Sequence, residues 1–337
     1  MDAKQLTKAI FVSALAALAV GICAAQTRRY IGPWPDINAS SPWVTTEGPP
    51  PDVRNGELVN EDTVKTAREI ALHSSQPPNW TNAPGFEKDV FTFARGIYTY
   101  GRYGVNPRIS GSASPWGWIT DFPDSDLNLS YRLQQMTSLR VDPDGRVLKL
   151  SDPNLNSYPW LYMVEPGRME LKDDDVPRLR KYLLNGGVLM VDDFWGQKQW
   201  DNFEYEIKRA LPEGTFTELP MDHPIFHCVF DIKVTKNELQ TPNSRWAKNS
   251  LLRYSDTMNY GITWETYHDD YRPDGAKDMH VRAMLDSKGR IMVIATHNCD
   301  NGDGWEREGE DDAFFHTFSE RRAFPLGINI IFYLMTH

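Results

Sequence analysis

Cysteine is scarce in this chain of 337 residues: Cys23, Cys228 and Cys299 are all there is, and no two form a CxxC pair. That excludes a disulfide-stapled miniprotein, a thiolate zinc site and a thioredoxin-like redox centre. A surplus of basic charge is missing as well. Thirty-six Lys and Arg face 46 Asp and Glu, a net charge of −10, so a nucleic-acid backbone would meet no basic face. Several catalytic signatures are absent: there is no GxSxG elbow, no Walker A loop, no GxGxxG and no HExxH. The serine-hydrolase elbow, the phosphate cradle and the zincin helix therefore find no support. Internal repeats and long low-complexity tracts are lacking too.

What is present is the composition of a globular protein. Hydrophobic residues make up 40%, and the 11 Trp, 14 Tyr and 15 Phe do not suit a disordered tail. The length suffices for one large domain or two modest ones. At the N-terminus Lys4 and Lys8 precede an apolar run from Ala9 to Ala25 that ends in small residues. This pattern reads as a secretory signal over residues 1–25, so the rest is expected to be exported, periplasmic or extracellular. Retention of residues 9–25 would make the segment a membrane anchor instead. In an oxidising compartment Cys228 and Cys299 could pair.

Residues 26–87 are rich in Pro, Gly, Ser and Asn and read as an irregular arm, with one short helix expected over 61–74 behind an Asn60 cap. From residue 88 onward strands and helices alternate. Strands are expected at Val90–Ile97, Leu161–Val164, Val188–Val191 and Arg290–Thr296, all in one sheet. Helices are expected at 127–136 (capped by Asp124), 173–184, 200–211 and 325–334, and a hairpin turn at Asp286-Ser287-Lys288-Gly289. Short apolar strands divided by amphipathic helices indicate an α/β domain with a mainly parallel sheet. Chemistry in such sheets lies beyond the carboxyl ends of the strands.

That rule ranks the polar motifs. Asp192 and Asp193 close the run VLMV and are followed by Trp195. His297, Asn298, Asp300, Asp303, Trp305 and Glu306 follow IMVIAT in a loop whose spacings suit a metal or a catalytic pair, and that does not fit an EF-hand. His223 and His227 flank Pro224, which rules out a shared helical face, and His223 is the more open of the two. Arg95, at the end of the first strand, is a candidate for an anion or for a buried carboxylate.

The strings FTFARGIY (91–98), DFPDSDLNLSYRLQQMTSLRV (121–141), YLLNGGVLMVDDFWG (182–196), LPMDHPIFH (219–227), THNCDNGDGWE (296–306) and PLGINIIFYLMTH (325–337) resemble the bacterial "domain of unknown function 4159" family. The resemblance covers residues 88–337. It implies a glutamine amidotransferase-like, flavodoxin-like three-layer sandwich, and it implies no established activity. In amidotransferases a Cys nucleophile sits on a strand-to-helix elbow and a His follows a later strand. By strand order Asp192-Asp193 falls at that elbow and His297 at that His, with no Cys or Ser at the elbow.

Two functions follow. The first is a non-catalytic binding or assembly module for a glycan or an envelope protein, using the Trp-rich loops at Trp116, Trp118, Trp195 and Trp305 as an aromatic surface. The alternative is a hydrolase or sugar-modifying enzyme, divalent metal possible, with Asp193 as base or metal ligand, His297 as acid/base and Asp300 orienting it. That second reading expects Asp193 and His297 to share a cleft with Asp300, Asp303 or Glu306, and an acidic cluster there to raise the His297 pKa.

Overall fold

The computed structural model describes residues 52–54, 57–72, 76–85, 89–100, 117–244, 263–265, 275–309 and 312–337. The expected signal segment, most of the arm and Trp116 lie outside them. Seven strands form the main sheet: β1 Ala94–Ile97, β2 Arg146–Lys149, β3 Trp160–Val164, β4 Val188–Asp192, β5 Phe216–Glu218, β6 His280–Leu285 and β7 Ile291–His297. Their order is β2-β1-β3-β4-β7-β6-β5. The pairings among β2, β1, β3, β4 and β7 are parallel, and β6 lies antiparallel to both β7 and β5. Only β6 is reversed, through the hairpin at Asp286–Gly289 where Gly289 takes φ +85°. The four strands expected in one sheet are there together, although the first is regular only from Ala94, with Phe91 making an isolated bridge to Val141.

The central strands read as unbroken apolar runs because both faces are covered. Every residue of β3, β4 and β7 is buried. Side chains alternate between two apolar clusters, as the two-residue period of a strand requires. Leu161, Leu189 and Val293 pack on one face with α2 (Asp175–Leu184) and α3 (Gly196–Ala210) through Leu179, Leu183, Phe203 and Ile207. Tyr162, Met190 and Ile294 pack on the other with α1 (Asp124–Met136) and, further along the chain, Phe324–Thr336 through Leu129, Leu133, Ile328 and Ile331. Helix–sheet–helix layering results.

Some boundaries differ from expectation. The helix expected over 61–74 is a turn followed by a 3-10 turn at Ala67–Glu69. The chain there runs beside β2 instead: Val147 N donates to the Lys65 carbonyl at 2.9 Å, and Ala67 N to the Asp144 carbonyl at 2.9 Å. Those bonds replace the helical ladder, and Val64 and Ala67 are buried by them. Asp124 opens α1 as its first residue instead of capping it. The last helix is preceded by a π-helical stretch, Phe315–Ala323. Cys228 and Cys299 are both free thiols. Among the described residues no helix is long and apolar enough to cross a membrane.

Candidate functional site: a buried carboxylate nest

Three neighbouring parallel strands, β3, β4 and β7, each end on a non-glycine residue in the left-handed region: Glu165 (φ 49°), Asp193 (φ 56°) and Asn298 (φ 61°). A fourth, Asp121 (φ 61°), sits in the loop entering α1, and these four are the non-glycine residues with positive φ among those described. Such a conformation is unfavourable for a side-chain-bearing residue and persists where its surroundings fix it. Here it turns the chain abruptly at the carboxyl edge of the sheet. The strand ends are then stitched to one another: Asp193 N donates to the Cys299 carbonyl, Asn298 N to that of Phe194 and Glu165 N to that of Asp192, all at 2.9–3.0 Å.

The turns bring carboxylates together. Oxygens of Asp121, Asp193 and Asp300 lie within 4.8 Å of one another, and so do oxygens of Asp121, Asp303 and Glu306. Asp121 is common to both groups, and all five residues are buried. Burial pushes the Asp193 carboxyl well above the usual range, and the charges of Glu265, Glu165 and Asp121 push it further. Asp300 is raised well above it too, by burial and then by Asp193, Asp303 and Asp121. Asp303 is raised by burial, although the Arg307 guanidinium opposes this. So many carboxylates cannot all be ionised without a counter-charge, so the nest takes up protons or a cation.

Each member is held from behind. Arg95, at the heart of β1, is fully buried and donates from Nε to the Asp126 carboxylate (3.0 Å), from Nη1 to the carbonyls of Trp118 and Thr120 (2.9 Å each) and from Nη2 to Ser125 Oγ (2.9 Å) and Asp126. All five of its N–H groups are thereby engaged. Arg95 therefore does not bind an external anion; it fixes the loop that carries Asp121. Asp193 accepts from the Trp195 indole N–H (2.9 Å). Asp192, the other half of the acidic pair, has partners of its own: it accepts from Thr296 Oγ1 (2.6 Å), Asn301 Nδ2 (2.9 Å) and Gly302 N (2.9 Å), tying β4 and β7 to α4 (Asn301–Glu306). Its carboxyl is raised to about 6 by burial, against the pull of those bonds. A Cβ on Gly302 would fall 2.1 Å from Asp121 Oδ2, so only glycine lets α4 pass beneath that carboxylate. Asp300 accepts from Asp303 N (2.8 Å), capping α4, and Arg307 contacts Asp303 (3.2 Å) and Glu306 (3.0 Å).

The remaining expected site residues lie in other surroundings. His297 does not face the nest. Its ring sits against Phe194 (4.8 Å between centroids) and Trp200 (5.2 Å), with Nε2 3.0 Å from the Gly196 carbonyl and Nδ1 3.4 Å from Arg282. The expectation of a raised pKa is overturned: burial, helped by the Arg282 charge, lowers it to about 3. The imidazole is a neutral packing group on the opposite face of the sheet. Asn298 uses its side chain to accept from Gly196 N (2.8 Å) and to donate to the Gly275 (2.6 Å) and Asp278 (2.7 Å) carbonyls, so it ties loops. His223 caps the turn Pro224–Phe226, accepting from Ile225 N at 3.2 Å, and lies against Tyr333. The aromatic surface also fails where it is described: Trp118, Trp195 and Trp305 are 4%, 3% and 0% exposed, and Trp305 donates to the Ala323 carbonyl within the core. They cannot present faces to a partner.

The architecture is thus that of an α/β domain whose polar edge is a nest of buried acids, built around five carboxylates from three loops. The chain belongs to the family described as Domain of unknown function (DUF4159), which matches residues 112–335. That span begins ahead of Asp121 and takes in every carboxylate of the nest. No curated protein matches the chain. Sequence reasoning reached Asp193, Asp300, Asp303 and Glu306 but passed over Asp121, Glu165 and Glu265. Glu165 could have been found, because it directly follows an apolar strand, as Asp193 does. Asp121 carries no such mark beyond its place in the string DFPD, and Glu265 carries none.

Proposed function

We propose that the domain is a non-catalytic binding or assembly module that holds one hard divalent cation, of the calcium, magnesium or manganese kind, in its carboxylate nest. The observation that carries this reading is the pair of buried carboxylate groups sharing Asp121. Their donors are oxygens only, which suits hard cations, and ion binding would relieve the repulsion that raises Asp193 and Asp300. Arg307 already supplies positive charge to Asp303 and Glu306. The ion therefore belongs with Asp121, Asp193 and Asp300, and its work is to lock the loop entering α1 to the loops after β4 and β7. A flavodoxin-like, amidotransferase-like class is supported by the five strands paired in parallel, β2-β1-β3-β4-β7, whose spatial order, numbered among themselves along the chain, is 2-1-3-4-5. An exported site of action is supported by Lys4, Lys8 and the apolar run that follows them.

The test is calorimetric titration of chelator-stripped protein with calcium, magnesium and manganese, alongside metal analysis of protein from its host. One ion per chain is expected, lost in Asp121→Asn, with a second ion admitted by Arg307→Ala. Absence of binding by all three ions, with no metal retained, sinks the reading.

One observation favours a second reading, a metal-assisted hydrolase or sugar-modifying enzyme. Asp193 occupies, in left-handed conformation, the turn from β4 into α3, which corresponds to the strand-to-helix elbow where the amidotransferases implied by the family resemblance carry their nucleophile. Turnover of glycosides or esters that is abolished by Asp193→Asn would decide for it.

A further inference from the structure

A second site lies where the segment before β1 crosses the C-terminal end of α1. Trp80 and Tyr131 stand there as a tilted aromatic pair, with centroids 5.9 Å apart and planes inclined by 36°. With Asn82, Gln134 and Arg140 they line a cavity of about 320 Å³, within the range of small-ligand sites. Its floor is built. The Val141 carbonyl accepts from the Trp80 indole N–H (2.8 Å) and from Asn82 Nδ2 (2.9 Å), and Val141 N donates to Gln134 Oε1 (2.9 Å).

These three bonds fix Trp80, Asn82 and Gln134 and sort the polarity of the lining. Each amide uses one end on the Val141 peptide. That leaves Asn82 to offer an acceptor oxygen and Gln134 a donor NH2, side by side with two half-buried aromatic faces. The one charge on the rim, Arg140, is answered by Asp89 at 3.9 Å. An aromatic wall with a neutral donor and a neutral acceptor matches a ligand having an apolar C–H face and hydroxyls around its edge.

We infer that this cavity is a saccharide subsite that takes one neutral pyranose unit of a glycan. The inference rests on the reading of the domain as a binding module, and not on the cation. The ring's C–H face stacks on the aromatic wall that Trp80 and Tyr131 present to the cavity, while adjacent hydroxyls donate to Asn82 and accept from Gln134. The partner surface expected of exposed tryptophans at the strand ends thus falls to one tryptophan and one tyrosine elsewhere.

The experiment titrates the mature chain with cellotriose, chitotriose and maltotriose by calorimetry and saturation-transfer NMR, in chelator so that the nest's ion plays no part. At least one trisaccharide is expected to bind, about tenfold more weakly in Tyr131→Ala and unchanged in Tyr131→Phe, because the ring face carries the contact. Tyr131 is the choice because Trp80 also holds Val141, and its loss could disturb the fold. Silence from all three sugars overturns the proposal, as does binding indifferent to Tyr131→Ala. Displacement of the sugar by a proline-rich decapeptide would overturn it in favour of a peptide groove.

Discussion

His297 and Asp300 are three residues apart and both buried, yet their surroundings move their protons in opposite directions. His297 lies among Phe194 and Trp200 beside Arg282, and burial drives its pKa down to about 3. Asp300 lies among Asp193, Asp303 and Asp121, and burial drives its pKa up. Burial disfavours the charged form of both, but only the nest gathers like charges that a cation could relieve. Strand alternation makes the split: Thr296 turns to Asp192, so His297, the next residue, turns to the other face.

The largest effect should come from forcing a charge into the aromatic side. His297→Lys places an ammonium among Phe194 and Trp200 with Arg282 as neighbour, and should destabilise by about 3–5 kcal/mol, as an uncompensated buried charge does. Asp300→Asn should behave oppositely in chelator near neutral pH. The amide keeps the cap on α4 and removes one repelling carboxyl, a gain of about 1–2 kcal/mol. Urea unfolding of the two variants checks both signs. If Asp300→Asn destabilised the metal-free protein, the like-charge account of the nest would fail.

Acid–base behaviour should separate the two regions next. His297 is lowered from 6.5 to about 3, so its contribution is full above 6.5 and is lost as pH falls toward 3. Asp192 is raised from 3.8 to about 6, so its contribution is full below 3.8 and is lost as pH rises toward 6. Asp193 and Asp300 share that sign. Between about pH 4 and 6 the two regions oppose each other. Removing the imidazole with His297→Phe should leave the carboxyl limb alone. Metal-free stability of that variant should then fall with rising pH across the window, while the wild type stays flatter. Equal slopes in the two proteins would refute the opposition.

Ligand linkage sharpens the same contrast by a smaller step. A cation at a hundred times its dissociation constant should stabilise the wild type by about 2.7 kcal/mol. Asp300→Asn should lose most of that gain, and His297→Phe should keep it. Thermal unfolding with and without calcium reads the difference directly.

Much of this edge was legible in the sequence because fully buried strands print themselves as apolar runs. LYMV, VLMV and IMVIAT each gave a strand, and the polar residues behind them gave the carboxyl edge. Parity was harder to read. Nothing local shows that Asp192 ties α4 while Asp193 faces the nest, because a left-handed turn between β4 and α3 decides it. Asp121, Glu165 and Glu265 come from separate stretches of chain and converge on Asp193 only in the folded molecule. The helix expected behind Asn60 failed for a similar reason: its backbone groups found partners in Asp144 and Val147, which no helical period reveals.

The smallest predicted effect tests how the nest is held. Trp195 touches Asp193 through one bond, indole N–H to Oδ1 at 2.9 Å. Trp195→Phe keeps an aromatic ring in place and deletes only that donor. A hydrogen bond contributes about 1 kcal/mol when its acceptor is neutral and about 1.5–3 kcal/mol when the acceptor is charged. Without a cation the raised Asp193 carboxyl holds its proton more readily, and the variant should be about 1 kcal/mol less stable. With a cation bound Asp193 must be ionised, so the same bond is worth more in the loaded state. That difference belongs to the binding equilibrium and should weaken cation affinity by about fivefold, the equivalent of roughly 1 kcal/mol. A tryptophan that merely fills space would lower stability equally with and without the ion and leave the dissociation constant where it was. Calorimetry on the variant, set against its unfolding free energy in chelator, distinguishes a residue that positions Asp193 from one that only packs beside it.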